Sequence, residues 1–277
     1  MQRHISVAIV VLILLICAGL FVGMTKRLRE AAALIQCQNN LKQICLAIRN
    51  YEDSYRRFPN ATITRGHMGE VPLRKRMSWL FDTLGFMGSL MDSEYGREYH
   101  KAGDRPWDAP ENGLYLKWHY PLYVCPTHPD QGMTDGPALT HYVGITGMGK
   151  DAADLPKGDA KAGIFSWERS TTIDDITDGL ANTMMVIETM RDNGPWVAPG
   201  RPTTRGLDPD EPPYLGEAAQ FGSGHRTHQG FDFLTSTITN VGFADGSVRS
   251  LSSSISPQVF EALATMAGGE RVDPADF

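Results

Sequence analysis

Ile5 to Met24 is an unbroken run of 20 uncharged, mostly apolar residues. A helix of about that length crosses ~30 Å of hydrocarbon. Arg3 precedes the run, and Lys26, Arg27 and Arg29 follow it. A cleaved signal peptide would carry a shorter apolar stretch, ~7–15 residues, ending in small residues. Here Cys17-Ala18-Gly19 is followed by further apolar positions, Leu20, Phe21 and Val22, and Ile16 stands where a lipoprotein signal wants a small residue. A buried core helix of this length would show a polar side. The run therefore reads as a retained single-pass membrane anchor over residues 1–25. Positive residues at both ends leave its orientation open.

The helical pattern continues past the run. No proline occurs before Pro59, and residues 26–57 are rich in Leu, Arg, Glu, Ala, Gln and Lys, all good helix formers. Leu34, Cys37, Leu41, Ile44, Ile48, Tyr51 and Tyr55 alternate spacings of three and four, a heptad seam. Asn39, Asn40, Lys42, Gln43, Arg49, Asn50 and Asp53 fall off that seam. The seam can zip to a second helix or lie on a sheet of the same chain. Packing within the chain is favoured, because strict coiled coils run longer and use flanking charge pairs. Phe58-Pro59 ends the helix, since proline disfavours helical geometry in the residue before it.

From Ala61 onward the pattern changes to short apolar runs separated by Gly, Pro, Asn and Asp, which predicts strands and long loops. Leu122–Cys125, Thr140–Val143 and Thr183–Ile187 read as strands, and Ile164-Phe165 as a shorter one. Six prolines within 194–213 confine that stretch to a loop or an edge. Asp245-Gly246 sits between two alternating runs, a hairpin signal. A two-residue turn there would place Phe243 opposite Val248, with Val241 on the same face and Arg249 beyond. Ser256 then fits an N-cap with Pro257 at the first helical position. Val259, Phe260, Leu263 and Met266 form an apolar stripe, and Gly268 is a stop signal.

Several of these segments resemble landmarks of a known family. They are Gln36–Ile44, Asn50-Tyr51, Arg57-Phe58-Pro59, Cys125-Pro126, Ile176–Gly179, Asn182-Thr183, the Phe243–Arg249 hairpin and Ala262 through Glu270. In this order they resemble the bacterial domain-of-unknown-function family 1559. The resemblance implies a pilin-like fold, with an N-terminal membrane helix running into a mostly β body, and it carries no activity with it. Two features depart from the family pattern. Members commonly begin with a prepilin cleavage site, a glycine followed by Phe-Thr-Leu-Ile-Glu; here Arg3-His4 leads straight into Ile5. The His-x9-Asp-Gly signature is stretched, with 19 residues rather than nine between His225 and Asp245 and an insertion around 229–239.

Charge divides along the chain. Its 26 Lys and Arg against 32 Asp and Glu give a net −6. Residues 1–58 hold 8 basic and 3 acidic side chains, a net +5, so the remainder carries −11. An acidic body makes a poor nucleic-acid partner. Gly144–Asp151 nearly matches a phosphate loop, but Asp151 replaces the hydroxyl that binds Mg²⁺, so nucleotide binding is not expected.

Cys37 and Cys125 lie on two of the family landmarks. In an extracytoplasmic body they invite a disulfide tying helix to sheet; the alternative is two small buried apolar residues. Asp174, Asp175, Asp178 and Asn182 offer hard oxygen ligands, which makes them calcium candidates, or they serve backbone turns. His225-Arg226-Thr227-His228 has the spacing of a zinc pair on a helix, but Gly222, Gly224 and Gly230 argue for a loop. Five scattered tryptophans suit core packing better than a carbohydrate groove.

These readings predict an α+β protein. A long N-terminal transmembrane-plus-stalk helix packs on a mainly antiparallel β body, and a short helix closes the chain. Residues 1–25 form the anchor, 26–58 the stalk and 59–277 the acidic body. The expected role is that of a membrane-anchored, pilin-like (pseudopilin-like) envelope protein. It would be structural or assembling rather than catalytic, with its body in the periplasm or on the cell surface. Expected partners are the membrane and like pilin-type subunits or other envelope proteins, without nucleic acid or nucleotide. No cofactor is expected apart from calcium at the acidic cluster. The alternative is a tethered extracytoplasmic module that binds a solute or a carbohydrate.

Overall fold

The computed structural model describes residues 2–64, 70–88, 96, 99, 102, 104–128, 130, 135–222, 224–228, 235–273, 275 and 277, without side chains at 2–11, 228 and 235. Helix α1 spans Gln2–Tyr55. It stops where Arg56 enters the left-handed region at φ 56°, just ahead of the Phe58-Pro59 signal. Among the described residues no helix is long and apolar enough to cross a membrane. Residues 5–11 of the apolar run lie outside the described side chains. From Leu12 to Met24 the large apolar side chains are exposed, Leu14 at 62% and Leu20 at 70%.

The second half of α1 lies on a six-stranded sheet. Its strands are β1 (Tyr142–Met148), β2 (Met184–Glu188), β3 (Thr204–Leu207), β4 (His225–His228), β5 (Thr235–Phe243) and β6 (Val248–Ser252). The order is β3-β1-β2-β5-β4, with β6 also paired to β5. Every pairing is antiparallel except β1 with β3, so the sheet is mixed rather than wholly antiparallel. The parallel strand β3 comes from the proline-rich stretch and lies at the edge, where missing N–H donors cost least.

Strand register brings distant segments together. Val241 and Gly242 of β5 pair with Ile187 and Val186 of β2 on one side and with Arg249 and Val248 of β6 on the other. Ile238 pairs with both His225 of β4 and Ser252 of β6. Strands β2 and β4 therefore lie end to end along the same edge of β5, and the end of β2 meets the start of β4.

Alternation places two cores on the two faces of the sheet. One joins Leu41, Ile44, Cys45 and Ile48 of α1 to Tyr142, Val186 and a cluster of buried aromatic rings. The other joins Val143, Ile145, Ile187 and Val241 to Phe260 and Leu263 of the C-terminal helix Pro257–Ala264. The helical seam is thus satisfied within the chain. Cys37, Leu41, Ile44, Ile48 and Tyr51 are buried, Leu34 is half-buried, and Tyr55 stays 48% exposed while its ring meets Tyr51 and Phe86. Polar side chains fix the helix position. Asn40 Nδ2 donates to the Pro121 and Val124 carbonyls, Lys42 Nζ to the Gly246 carbonyl and Gln38 Nε2 to Ser250 Oγ.

Several expectations are corrected. Leu122–Cys125 is not a strand, because Pro121 opens a 3-10 turn over Pro121–Tyr123. Ile164-Phe165 is a buried irregular segment. His225–His228 is a strand, not a loop, and part of the inserted segment, 229–234, falls outside the described residues. The Asp245-Gly246 turn has three residues rather than two. Phe243 N donates to the Ser247 carbonyl, Gly246 N donates to the Phe243 carbonyl, and only Gly246 takes a positive φ, 85°. That is a type I turn closed by a left-handed glycine. It shifts the register, so Val248 faces Gly242 and Arg249 faces Val241. Arg249 instead lies 4.9 Å over the rings of Phe243 and Phe277. The Ser256 cap is present, its Oγ accepting from Val259 N at 3.2 Å. The helix it opens ends at Ala264, before Gly268. After Met148 the glycine-rich segment turns into one short 3-10 turn, Ala152–Asp154, without the helix that a phosphate loop needs.

Candidate functional site

The end-to-end meeting of β2 and β4 builds a buried polar cluster. Glu188 closes β2, and the register sets it beside Asn240 of β5. His225 opens β4 two residues further along the same edge. Helix α1 lays Cys37 over this point, and the segment after the Pro121–Tyr123 turn supplies Cys125. Cys37, Cys125 and Glu188 are fully buried, and His225 is 2% exposed.

The contacts are close. Cys37 Sγ lies 2.9 Å from Cys125 Sγ, both as free thiols. His225 Nε2 is 3.4 Å from Cys125 Sγ and 2.9 Å from Glu188 Oε1. Asn240 Nδ2 donates to Glu188 Oε2 at 2.7 Å, and Ser250 Oγ donates to Asn240 Oδ1 at 2.7 Å. Thr127 Oγ1 sits 2.9 Å from Cys125 Sγ. The chain Gln38–Ser250–Asn240–Glu188–His225–Cys125–Cys37 begins and ends on α1.

The electrostatics follow from burial and contact. Hydrogen bonding from Cys37 lowers the Cys125 thiol to about 7; burial opposes this shift and His225 adds to it. The Cys37 thiol is pushed far up by donating to Cys125 and by burial. Burial acts to lower His225, but its contacts with Cys125 and Glu188 outweigh that and raise it to about 10. Burial acts to raise Glu188, and the hydrogen bond with His225 holds it below the ordinary carboxylate range. A buried ion pair of this kind costs several kcal/mol per ion in lost hydration, offset only by close contact and further hydrogen bonds.

A second group adjoins the first. The Cys125 amide donates to His141 Nδ1 at 2.8 Å. His141 stacks on His128 with ring centroids 4.0 Å apart. Asp130 Oδ1 lies 2.7 Å from His128 Nδ1 and 3.4 Å from His141 Nε2. Burial and the neighbouring His128 lower His141 to about 4, so its ring is neutral. Among the described residues, these two groups bring three or more metal-type donors together.

The calcium candidates do not converge in this way. Asp175 accepts from Thr172 in a capping box and pairs with Lys157 at 2.9 Å. Asp178 accepts from the Gly268 and Gly269 amides, tying the chain end to this turn. Asn182 donates to the Asp178 carbonyl. Asp175, Asp178 and Asn182 thus serve a turn and a tether, and Asp174 lies in the same 3-10 turn as Asp175. The tryptophans divide as well. Trp79 and Trp196 are buried among other aromatic rings. Trp167 borders a polar cleft of about 400 Å³ together with Arg74, Arg201, Arg205 and the Lys150–Asp208 ion pair.

Sequence reasoning placed Cys37 and Cys125 together but missed Glu188 and Asn240. The signal for Glu188 was a carboxylate ending the otherwise apolar strand Met184–Ile187. Its partner His225 was visible only as half of a His-x-x-His spacing.

A family model described as "Protein of unknown function (DUF1559)" matches residues 26–258, well over half of the chain. The chain belongs to that family. The match takes in α1 from Lys26 onward, the whole sheet and Cys37, Cys125, Glu188, His225 and Asn240 of the buried cluster. No curated protein and no solved structure matches.

Proposed function

We propose that this DUF1559 chain is a membrane-anchored, pilin-like envelope protein. The first half of α1 sits in a lipid bilayer, and the second half holds the acidic body on the extracytoplasmic side. There the body assembles with like subunits or other envelope proteins and performs no catalysis. The observation that carries this reading is the contrast along one helix. From Cys37 to Tyr51 the seam is buried against the sheet, whereas from Leu12 to Met24 the large apolar side chains meet no part of the described body. Covering nine such side chains is worth on the order of 15 kcal/mol at ~1.5–3 kcal/mol each, so water is a poor surrounding for them. The exposed stretch continues the uncharged sequence from Ile5 and stops at Lys26, Arg27 and Arg29, which suits a bilayer edge.

The test is fractionation of cells making the full chain, beside a variant lacking residues 1–25. The full chain is expected in the membrane pellet after alkaline carbonate washing, and the shortened chain in the supernatant. Recovery of the full chain in the supernatant would sink the proposal. The cleft beside Trp167 supports a second reading, a tethered binding module. Thr146 Oγ1 lies buried at its wall with no hydrogen-bond partner, and Arg74 lies 5.8 Å over the Trp167 ring. A sugar or anionic solute that raises the melting temperature of the full chain, but not of a Trp167→Ala variant, would favour that reading.

A further inference from the structure

We propose that Cys37, Cys125, Glu188 and His225 form a tetrahedral site for a divalent transition metal, zinc by the chemistry of its donors, that clamps helix α1 to the sheet.

Four observations converge on it. First, the donors are two sulfurs, one imidazole nitrogen and one carboxylate oxygen, all within 4.8 Å of one another. Zinc takes such N, S and O ligands at about 2.0–2.3 Å in four-coordinate structural sites. A tetrahedron of those bond lengths has edges of about 3.3–3.8 Å. The observed edges include 2.9 Å between the sulfurs, 3.4 Å from sulfur to Nε2 and 2.9 Å from Nε2 to Oε1. Along these three edges the tetrahedron asks for an expansion of under about 1 Å.

Second, the atoms that face one another are the ligating atoms. His225 turns Nε2, not the edge of its ring, toward both Cys125 Sγ and Glu188 Oε1. Third, the ligands are supported from behind. Asn240 Nδ2 holds the second Glu188 oxygen, Ser250 Oγ holds Asn240, and Thr127 Oγ1 contacts Cys125 Sγ. Outer hydrogen bonds of this kind orient metal ligands and are part of such sites. Fourth, the ligands come from four separate segments: α1, the segment after Pro121–Tyr123, β2 and β4. One ion would join all of them. A Cys37–Cys125 disulfide would use only two, leaving Glu188 and His225 as a fully buried ion pair.

The chemistry balances without an oxidant. Zn²⁺ binds two thiolates, the ionised carboxylate and neutral imidazole, and three protons pass to solvent, one from each thiol and one from the His225 imidazolium. No electrons move. The closed four-ligand set leaves no position for substrate, so the role is structural. This proposal does not depend on where the body resides.

The test uses the full chain purified without chelator, together with Cys37→Ser and Glu188→Gln variants. The wild type is expected to carry bound zinc by elemental mass spectrometry, and each variant to carry at least one equivalent less per chain. A chelator should lower the melting temperature of the wild type, and added zinc should restore it. A measurement on the wild type alone covers the case in which the variants fail to fold. Cobalt added to chelator-stripped protein should give the intense thiolate–cobalt bands of a tetrahedral site, and zinc should abolish them. Metal content unchanged in the variants would overturn the proposal. So would the absence of thiolate–cobalt bands, or zinc-free protein whose unreduced digest yields a linked Cys37–Cys125 peptide.

Discussion

Gly242 offers the sharpest test of how α1 sits on the sheet. It lies in β5 between Val186 and Val248, beneath the helix. A Cβ added there would land on Cys45 Sγ, inside the 3.0 Å that such contacts do not breach, and 3.5 Å from Leu41 Cδ1. Its φ is not among the positive values, so alanine brings no backbone strain, and the whole cost is steric. Relief requires that α1 lift or that Cys45 leave its rotamer. The Asn40, Lys42 and Gln38 hydrogen bonds resist the first, and complete burial of Cys45 and Leu41 resists the second. Overpacking of this kind costs ~1–3 kcal/mol, and with so little room Gly242→Ala should reach about 3 kcal/mol. Cys45→Ala alone should cost about 1 kcal/mol through lost burial. Combined, the two should recover about 1.5–2 kcal/mol relative to their sum, because the second change removes the atom that the first collides with. The assay is urea unfolding of the full chain in detergent, followed by tryptophan fluorescence, since Trp79 and Trp196 are buried. A Gly242→Ala chain within about 0.5 kcal/mol of wild type, or strict additivity in the double variant, would refute the packing described.

The helical seam predicts an asymmetry between neighbouring tyrosines. Tyr51→Ala should cost about 3–5 kcal/mol, as for a buried aromatic, and the half-exposed Tyr55→Ala under about 1 kcal/mol by the same unfolding assay. Equal losses would point to a seam facing another chain. Asn240→Ala removes a donor from the buried Glu188 carboxylate and should cost about 1.5–3 kcal/mol; a neutral result would mean that Glu188 is held in another way. Burial pushes Asp175 up, but hydrogen bonds from Lys157 and from the Thr172 amide and hydroxyl hold its carboxyl below the ordinary 3.8. Its stabilisation is therefore present above that value and lost as pH falls through the folded value. Asp175→Asn should be less stable than wild type at pH 7, and the gap should close at still lower pH; a gap that stays constant from pH 7 to pH 2 would contradict the assignment.

Local patterns carried much of the architecture. The uncharged run, the proline-free stretch to Arg57 and the three-four spacing of Leu41, Ile44, Ile48 and Tyr51 point to one long helix with one buried face. Helix periodicity is a property of neighbouring residues, and it survives folding. The Ser256-Pro257 start was legible for the same reason, because a cap is made by atoms three residues apart. Leu122–Cys125 failed because Pro121 sets a tight turn that outweighs the β preference of Tyr123 and Val124. The hairpin at Asp245-Gly246 was recognised but shifted by one residue, since Asp-Gly suits both a two-residue turn and a three-residue turn with a left-handed glycine.

The buried cluster depended on distance in space. Cys37 and Cys125 stand 88 residues apart in the chain, Glu188 and His225 37 apart. No spacing rule links positions so distant. Their meeting requires β2 and β4 to share one edge of β5, and that comes from a register set by both faces of the sheet at once. Residue order was enough to specify the long helix, its apolar first half, its seam and the +5 against −11 division of charge. Which face receives the seam was settled by packing in three dimensions, as was the burial of a carboxylate, an imidazole and two thiols together beneath it. Such a group is stable only when all its partners arrive, because each of them alone would lose its hydration without return.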